Sequence, residues 1–174
     1  MDKIREVLLE TLELKDLARS GWVKNGIVNC ESVASHTWGV SWLVIALCPE
    51  DLNLQRALVM TTIHDIAETR VGDITPNDDI SANEKHLLES NAMKDILSNF
   101  KNSDELYKIW MEYELQITPE SKFVKYCDKL DMALQAQKYM LNSDKNLNEF
   151  IDSAISIIAN DNLKDLANFN RYQY

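Results

Sequence analysis

Thr61-Thr62-Ile63-His64-Asp65-Ile66-Ala67-Glu68-Thr69-Arg70-Val71-Gly72-Asp73-Ile74-Thr75-Pro76 is the stretch that decides how this chain is read. It opens as the apolar second half of a helix and closes in a turn rich in Gly, Thr, Asp and Pro. Between the two stand His64, Asp65 and Glu68, with Asp73 just past the turn. Nothing in a soluble core asks for His-Asp at the end of an apolar run. On a helix His64 and Glu68 are i and i+4, and Asp65 and Glu68 are i and i+3, so Glu68 lies beside both. His64 and Asp65 are about 100° apart, close enough to converge on one ion if the helix end points at it. The stretch reads as half of a metal site.

Working outward, the 174 residues suffice for one domain with a real core, a motif-bearing part over about 10–140 and C-terminal helices over 141–174. Four Gly and three Pro are few for an all-β or loop-rich fold. No apolar run approaches the ~20 residues of a membrane helix. The N-terminus begins in an amphipathic pattern with no signal-peptide core, and a cytoplasmic location is expected. Cys30, Cys48 and Cys127 are odd in number and widely spaced, which fits reduced thiols and, without a C-x-x-C pair, no zinc finger. A formal charge of −10 argues against DNA or another polyanion as the main partner. It leaves room for one small phosphate ester whose charge a bound cation meets.

Upstream, Ile4, Val7, Leu8, Leu12, Leu14, Leu17 and Ala18 follow a helical period over 3–19. Gly21 and Gly26 bracket a loop, 20–31, that holds Trp22 and Lys24. Ser32 caps a helix through His36, Trp38 and Trp42 that Pro49 stops. Asn53 opens another, Leu54 to about Glu68. Downstream, a polar loop over 69–82 carries Asn77-Asp78-Asp79, read as a solvated face. Ser81 or Asn83 caps a helix to about Phe100 with Leu87, Leu88, Met93, Ile96 and Leu97 inward. Ser103 caps 104–116. Thr118-Pro119 is a capping residue followed by Pro at the first helical position, opening a helix with Phe123, Val124, Cys127, Asp128, Leu130, Asp131 and Leu134. Two amphipathic pieces, Leu147 to Ile158 and Leu163 to Phe169, finish the chain. Trp38, Trp42 and Trp110 fall at helical spacing in apolar stripes and read as core. The fold class is all-α, a single-domain helical bundle.

Three histidines are present. His86 lies in a charged helix start and reads as surface. His36, in an apolar helix, is either a core histidine or a ligand. Asp128 sits among apolar neighbours and must be paired or metal-bound; the simpler reading pairs it with Lys125 or Lys122. Asp131, one turn on, is a group behind the ligands or, the favoured reading, a solvated carboxylate. Together His36, His64, Asp65 and Asp128 make a two-His, two-Asp set from three helices. Such mixed donors suit one divalent transition metal, Mn, Fe, Co, Ni or Zn.

These residues resemble the H…HD…D signature of the HD-domain metal-dependent phosphohydrolases. The extended pieces are Arg19-Ser-Gly-Trp22-Val23, Glu31-Ser32-Val33-Ala34-Ser35-His36, His64-Asp65-Ile66-Ala67-Glu68 followed by Gly72-Asp73-Ile74, and Lys125-x-x-Asp128. They look like the small 5′-deoxynucleotidase branch, including its eukaryotic HD-domain-containing relatives, over about residues 10–140. The resemblance implies an HD fold, a homodimer, and hydrolysis of deoxyribonucleoside 5′-monophosphates to deoxynucleoside and phosphate. It implies that His36, His64, Asp65 and Asp128 bind one divalent metal, with Co or Mn favoured. Glu68 would orient or deprotonate the attacking water, Asp73 would sit by the sugar or the leaving oxygen, and Trp22 would press on the sugar against a 2′-hydroxyl. Bacterial members carry a phosphate-gripping arginine directly before the tryptophan. Here Gly21 takes that place, so phosphate contact passes to Arg19 or Lys24.

Simpler alternatives stand beside these roles. Trp22 plugs the core, Asp73 forms a turn, and Arg19 is a last-turn cation on the first helix. Two other functions share the residues: a phosphodiesterase or nucleoside polyphosphate hydrolase, and a non-catalytic nucleotide-binding dimer. No extra His pairs are present for a second metal, and a mere binder has no need of Glu68 beside the first.

Overall fold

The computed structural model describes residues 2–168. Among them the regular elements are helical: α1 (Asp2–Thr11), α2 (Ser20–Lys24), α3 (Val33–Leu47), α4 (Leu54–Ile63), α5 (Glu68–Val71), α6 (Ala82–Leu97), α7 (Ser103–Leu115), α8 (Pro119–Leu141), α9 (Asn148–Ile157) and α10 (Asp161–Asn168). Phe169, expected at the end of the last helix, lies outside the described residues. None of these helices is long and apolar enough to cross a membrane.

The 23-residue α8 is the axis of the bundle. Thr118 and Ser121 cap its start reciprocally, side chain to backbone in both directions, and Pro119 supplies a preset φ. Helices α3, α4, α7, α9 and α10 pack around it. Val124, Cys127, Leu130, Ala133 and Ala136 on α8 are fully buried. Gln137 donates to the Ala167 carbonyl at 2.6 Å and ties α10 to this axis. The caps at Ser32, Asn53 and Ser81 are also present, each accepting from the backbone N–H three residues on.

The chain departs from the sequence-based expectations where local pattern was ambiguous. Helix α1 stops at Thr11, followed by a 3-10 turn over Leu12–Lys15, and Leu8 and Leu12 are about half exposed. Residues 17–19 run extended and pair with 31–33: Arg19 N–H donates to the Glu31 carbonyl at 3.1 Å, and Val33 N–H to that of Leu17 at 2.8 Å. Arg19 is therefore not a last-turn cation. It sits one step before α2, beside the start of α3. The expected loop over 20–31 contains α2, a helical turn that buries Trp22. Asn102 rather than Ser103 precedes α7.

Trp38 and Trp42 are 71% and 56% exposed, against the core expectation; Trp110 is buried as expected. Helix α3 is apolar nearly all round, so periodicity alone names no inner face. Val33, His36, Val40 and Val44 form the buried stripe, and the tryptophans occupy the opposite one. On α6 the inner face runs through Glu89, Ser90, Met93, Ile96 and Leu97. Leu87 and Leu88 fall off that face and are exposed.

Candidate metal centre

Helix α4 ends at Ile63, and the backbone then tightens. Ile66, Glu68, Thr69 and Arg70 each donate to the carbonyl three residues back, at 3.0–3.2 Å. The expected single helix to Glu68 is thus two pieces joined by i→i−3 turns. At three residues per turn, positions i and i+3 eclipse, so Asp65 and Glu68 share a side. Gly72, at φ +77°, then turns the chain away, a conformation that glycine adopts without strain.

Both site histidines are oriented by acceptors. His64 Nδ1 lies 2.7 Å from the Thr61 carbonyl, and His36 Nδ1 lies 2.8 Å from Asp131 Oδ2. A carbonyl or carboxylate only accepts, so each Nδ1 carries a proton and each Nε2 is turned to the site. Asp131 is therefore not the solvated carboxylate that was favoured; it holds the His36 ring. Gly39 makes this contact possible. A Cβ on Gly39 would lie 2.1 Å from Asp131 Oδ1, so only glycine lets α8 bring this carboxylate against α3. A glycine inside an apolar helix was the available sign of a close approach.

The expected ligand atoms lie close together. His64 Nε2 is 3.1 Å from Asp65 Oδ2, His36 Nε2 is 3.9 Å from the same oxygen, and His36 Nε2 is 3.4 Å from Asp128 Oδ1. Two donors each about 2.1 Å from one ion, at right angles, stand about 3 Å apart. His36 Nε2, His64 Nε2, Asp65 Oδ2 and Glu68 Oε2 are all buried without a hydrogen-bond partner. Such clustering of unpartnered buried polar atoms costs several kcal/mol unless a bound ion answers it. His36, His64 and Asp65 lie close enough together to hold a divalent metal, and Asp128 adjoins them through His36.

Charges around the set are arranged in opposing pairs. Burial works against charge on His36, but Asp128 and Asp131 prevail and raise its pKa to about 9. Burial likewise opposes ionisation of Asp65, yet His64, Arg19 and His36 hold it below the usual carboxylate range. Asp128 is also held well down despite burial, by Lys125 and Lys129. Its Oδ2 accepts from Tyr113 Oη and Lys125 Nζ, each at 2.9 Å. Lys125 is the expected partner; Lys122 is not. Glu68 behaves oppositely: burial first, then Asp65 and Asp73, raise its pKa well above the ordinary value.

The pocket beside these atoms encloses about 580 Å³ and is lined by His64, Asp65, Glu68 and Asp128 together with Arg19 and Trp22. That volume suits a small ligand. A second hollow, about 730 Å³, is lined by Leu54, Leu58, Val59 and other residues of α4 with Leu106, none titratable, and offers no chemistry. Arg19 lies 3.4 Å from Asp73 Oδ1 and 3.8 Å from Asp65 Oδ2. Asp73 Oδ2 also accepts the Ser20 N–H at 2.7 Å, which fastens the start of α2 to the loop after α5. Trp22 is 2% exposed, packs on Phe150 and Tyr139, and donates to Glu31 at 2.8 Å. It is a core residue with an edge on the pocket.

Lys24 is committed to Asp78 at 2.7 Å and to Thr75, so Asp78 is a paired residue and not part of a solvated face. His86, read as surface, is partly exposed but also lines the pocket, stacked on Trp110 and 3.2 Å from Glu114. Gly21 abuts Phe150: a Cβ there would meet the ring at 3.3 Å. A side chain before Trp22 would require the Phe150 ring to give by a few tenths of an ångström.

The HD-domain family model matches residues 12–168. The chain belongs to the HD-domain family. The match extends past the 10–140 expected from motifs and takes in α9 and α10. The 5′-deoxynucleotidase hdd1 of Schizosaccharomyces pombe is 38% identical over 145 residues, 79% of this chain and 73% of that protein. The 5′-deoxynucleotidase HDDC2 of Homo sapiens is 38% identical over 145 residues, 81% and 71% of the two chains. Among solved structures, the PH0347 protein from Pyrococcus horikoshii OT3 superposes with a TM-score of 0.82 at 31% identity, covering 95% of this chain and 99% of that one. An HD domain implies a divalent metal, which agrees with the donors at this centre.

Proposed function

We propose that this HD-domain chain is a metal-dependent phosphomonoesterase that hydrolyses deoxyribonucleoside 5′-monophosphates to deoxynucleoside and phosphate. The observation that carries the reading is the set of four unpartnered buried atoms, on His36, His64, Asp65 and Glu68, the last three of these residues lining a nucleotide-sized pocket. The names of the relatives supply the substrate class. His36, His64, Asp65 and Asp128 would hold one divalent metal, with Co or Mn favoured by the two imidazoles. Bound there, the metal supplies Lewis-acid polarisation of the phosphate ester and of a water.

The remaining steps belong to the protein. Glu68 takes a proton from the water as it attacks phosphorus, the bond to the 5′-oxygen breaks, and a proton returned to that oxygen releases the deoxynucleoside. Arg19 meets the phosphate charge, aimed by Asp73, which stands near the sugar or the leaving oxygen. Lys24 guards the mouth, engaged with Asp78. The edge of Trp22 lies against the sugar, where an added 2′-hydroxyl would lose its hydrogen bonds at a cost of roughly 1–3 kcal/mol. Among the described residues the second group that could hold an ion, Glu31, His36 and Asp131, shares His36 with the first, which speaks against a reaction needing two metals.

Phosphate release from ribo- and deoxyribonucleoside monophosphates with Mg, Mn, Co and Zn tests this. Deoxy substrates should be preferred, and chelated protein should recover with Co or Mn better than with Mg, which favours all-oxygen surroundings. Full activity in Mg alone after exhaustive chelation would count against the ligand set. Equal rates on ribo and deoxy substrates would remove the sugar preference.

The functional unit proposed is a cytoplasmic homodimer of single-domain chains spanning residues 1–174. Free Cys30, Cys48 and Cys127 are compatible with a reducing compartment. The dimer reading draws on Trp38, Trp42 and Ile45, an exposed apolar stripe on α3. Light scattering should find a dimer that becomes monomeric in the Trp38→Glu/Trp42→Glu variant. A variant that stays dimeric would place the contact elsewhere.

A further inference from the structure

Five cations line the pocket: Arg19, Lys24, Lys85, Lys125 and Lys129. Three have close acceptors: Lys24 holds Asp78 at 2.7 Å, Lys85 donates to the Ile74 carbonyl at 2.9 Å, and Lys125 donates to Asp128 at 2.9 Å and Tyr113 at 3.0 Å. Arg19 reaches Asp73 only at 3.4 Å, and Lys129 is held no more closely. Its ammonium stands 3.5 Å from Asp128 Oδ2, an oxygen that already accepts from Tyr113 and Lys125 at shorter range. Its side chain is only 19% exposed. An ammonium carries three protons, and one kept largely from water needs acceptors for them. Asp128 offers at most a long contact to one.

We propose that Lys129 is a phosphate-binding residue, its ammonium donating to an oxygen of the monoester from the α8 wall while Arg19 meets the phosphate from the α2 side. The inference rests on the phosphomonoesterase reading. A phosphate supplies acceptor oxygens that the neighbouring carboxylate lacks, and lysine binds phosphate as a compact point charge. Helix α8 thereby presents two adjacent residues to the same ligand group, Asp128 on the metal side and Lys129 on the anion side.

The test uses cobalt-loaded protein, with metal content read by elemental analysis. Calorimetry follows binding of inorganic phosphate and, separately, of 2′-deoxyadenosine. Lys129→Met should weaken phosphate roughly 10–100-fold, the loss of one hydrogen bond to a charged group, with metal content and deoxyadenosine affinity unchanged. Lys129→Arg should restore most of the phosphate affinity. Unchanged phosphate binding in Lys129→Met overturns the proposal. So does a fall in metal content, which would make Lys129 a support of Asp128 alone. If the unaltered protein releases no phosphate from any deoxynucleotide, the functional reading fails regardless of Lys129. If it does so and Lys129→Met binds phosphate normally, only the Lys129 assignment falls.

Discussion

Glu68→Ala is expected to retain its metal and to lose about 10²–10⁴-fold in turnover, the usual contribution of a general acid–base group. Asp65→Ala and Asp128→Ala should instead lose metal and activity together. The difference follows from where each carboxylate stands. Asp65 Oδ2 lies 3.1 Å from His64 Nε2, and Asp128 Oδ1 lies 3.4 Å from His36 Nε2, the spacing of groups around one ion. Glu68 follows Asp65 by one tight turn, on the same side, and its Oε2 is buried without a partner. Removing a carboxyl that burial, Asp65 and Asp73 all disfavour as an anion should not weaken the fold. Thermal unfolding of Glu68→Ala should therefore match or exceed that of the parent. Elemental analysis beside initial rates separates the roles. Loss of metal in Glu68→Ala would make Glu68 a ligand, and full turnover would leave it with no part in the chemistry.

Gly39→Ala is expected to split two properties that usually move together. Alanine in place of a helical glycine ordinarily stabilises by about 1 kcal/mol. Here the added methyl would stand 2.1 Å from Asp131 Oδ1, so the carboxylate must retreat by roughly an ångström to reach ordinary contact. That movement breaks its 2.8 Å bond to His36 Nδ1. Loss of the group that orients a ligating histidine typically costs about 10–100-fold in metal affinity. Metal-free Gly39→Ala should thus unfold within about 1 kcal/mol of the parent, while its cobalt affinity, titrated against a chelator, falls by that factor. Asp131→Ala should show the same affinity loss. The double variant should show no further loss, because both changes remove one contact. Full additivity of the two losses would mean that Gly39 acts on the centre by another route.

Much of this protein was legible in its sequence because the decisive signals are local. Caps at Ser32, Asn53, Ser81 and Thr118 involve residues three apart, so chemistry and spacing suffice to name them. The His64-Asp65 pair and Glu68 lie within one or two turns, and an unusual density of donors after an apolar run is visible in the string itself. The all-α class followed from helical spacing and from the shortage of Gly and Pro.

Other features had no local signature. Helix α3 is apolar on every side, so which stripe faces inward is decided by what packs on it. The face carrying His36 meets α8, and Trp38 and Trp42 are left outside. The break at residues 16–19 depends on pairing with 31–33 across a loop, not on the period of the first helix. Asp131 and His36 are 95 residues apart, and Gly39 matters only because α8 crosses α3 at that height. Nothing in the sequence sets Lys129 apart from the other lysines of α8. The sequence by itself determined which residue types could bind and use a metal. Only the tertiary structure decided which of them are oriented, buried and paired, because hydrogen bonds, excluded volume and lost solvation act between atoms close in space, wherever they lie along the chain.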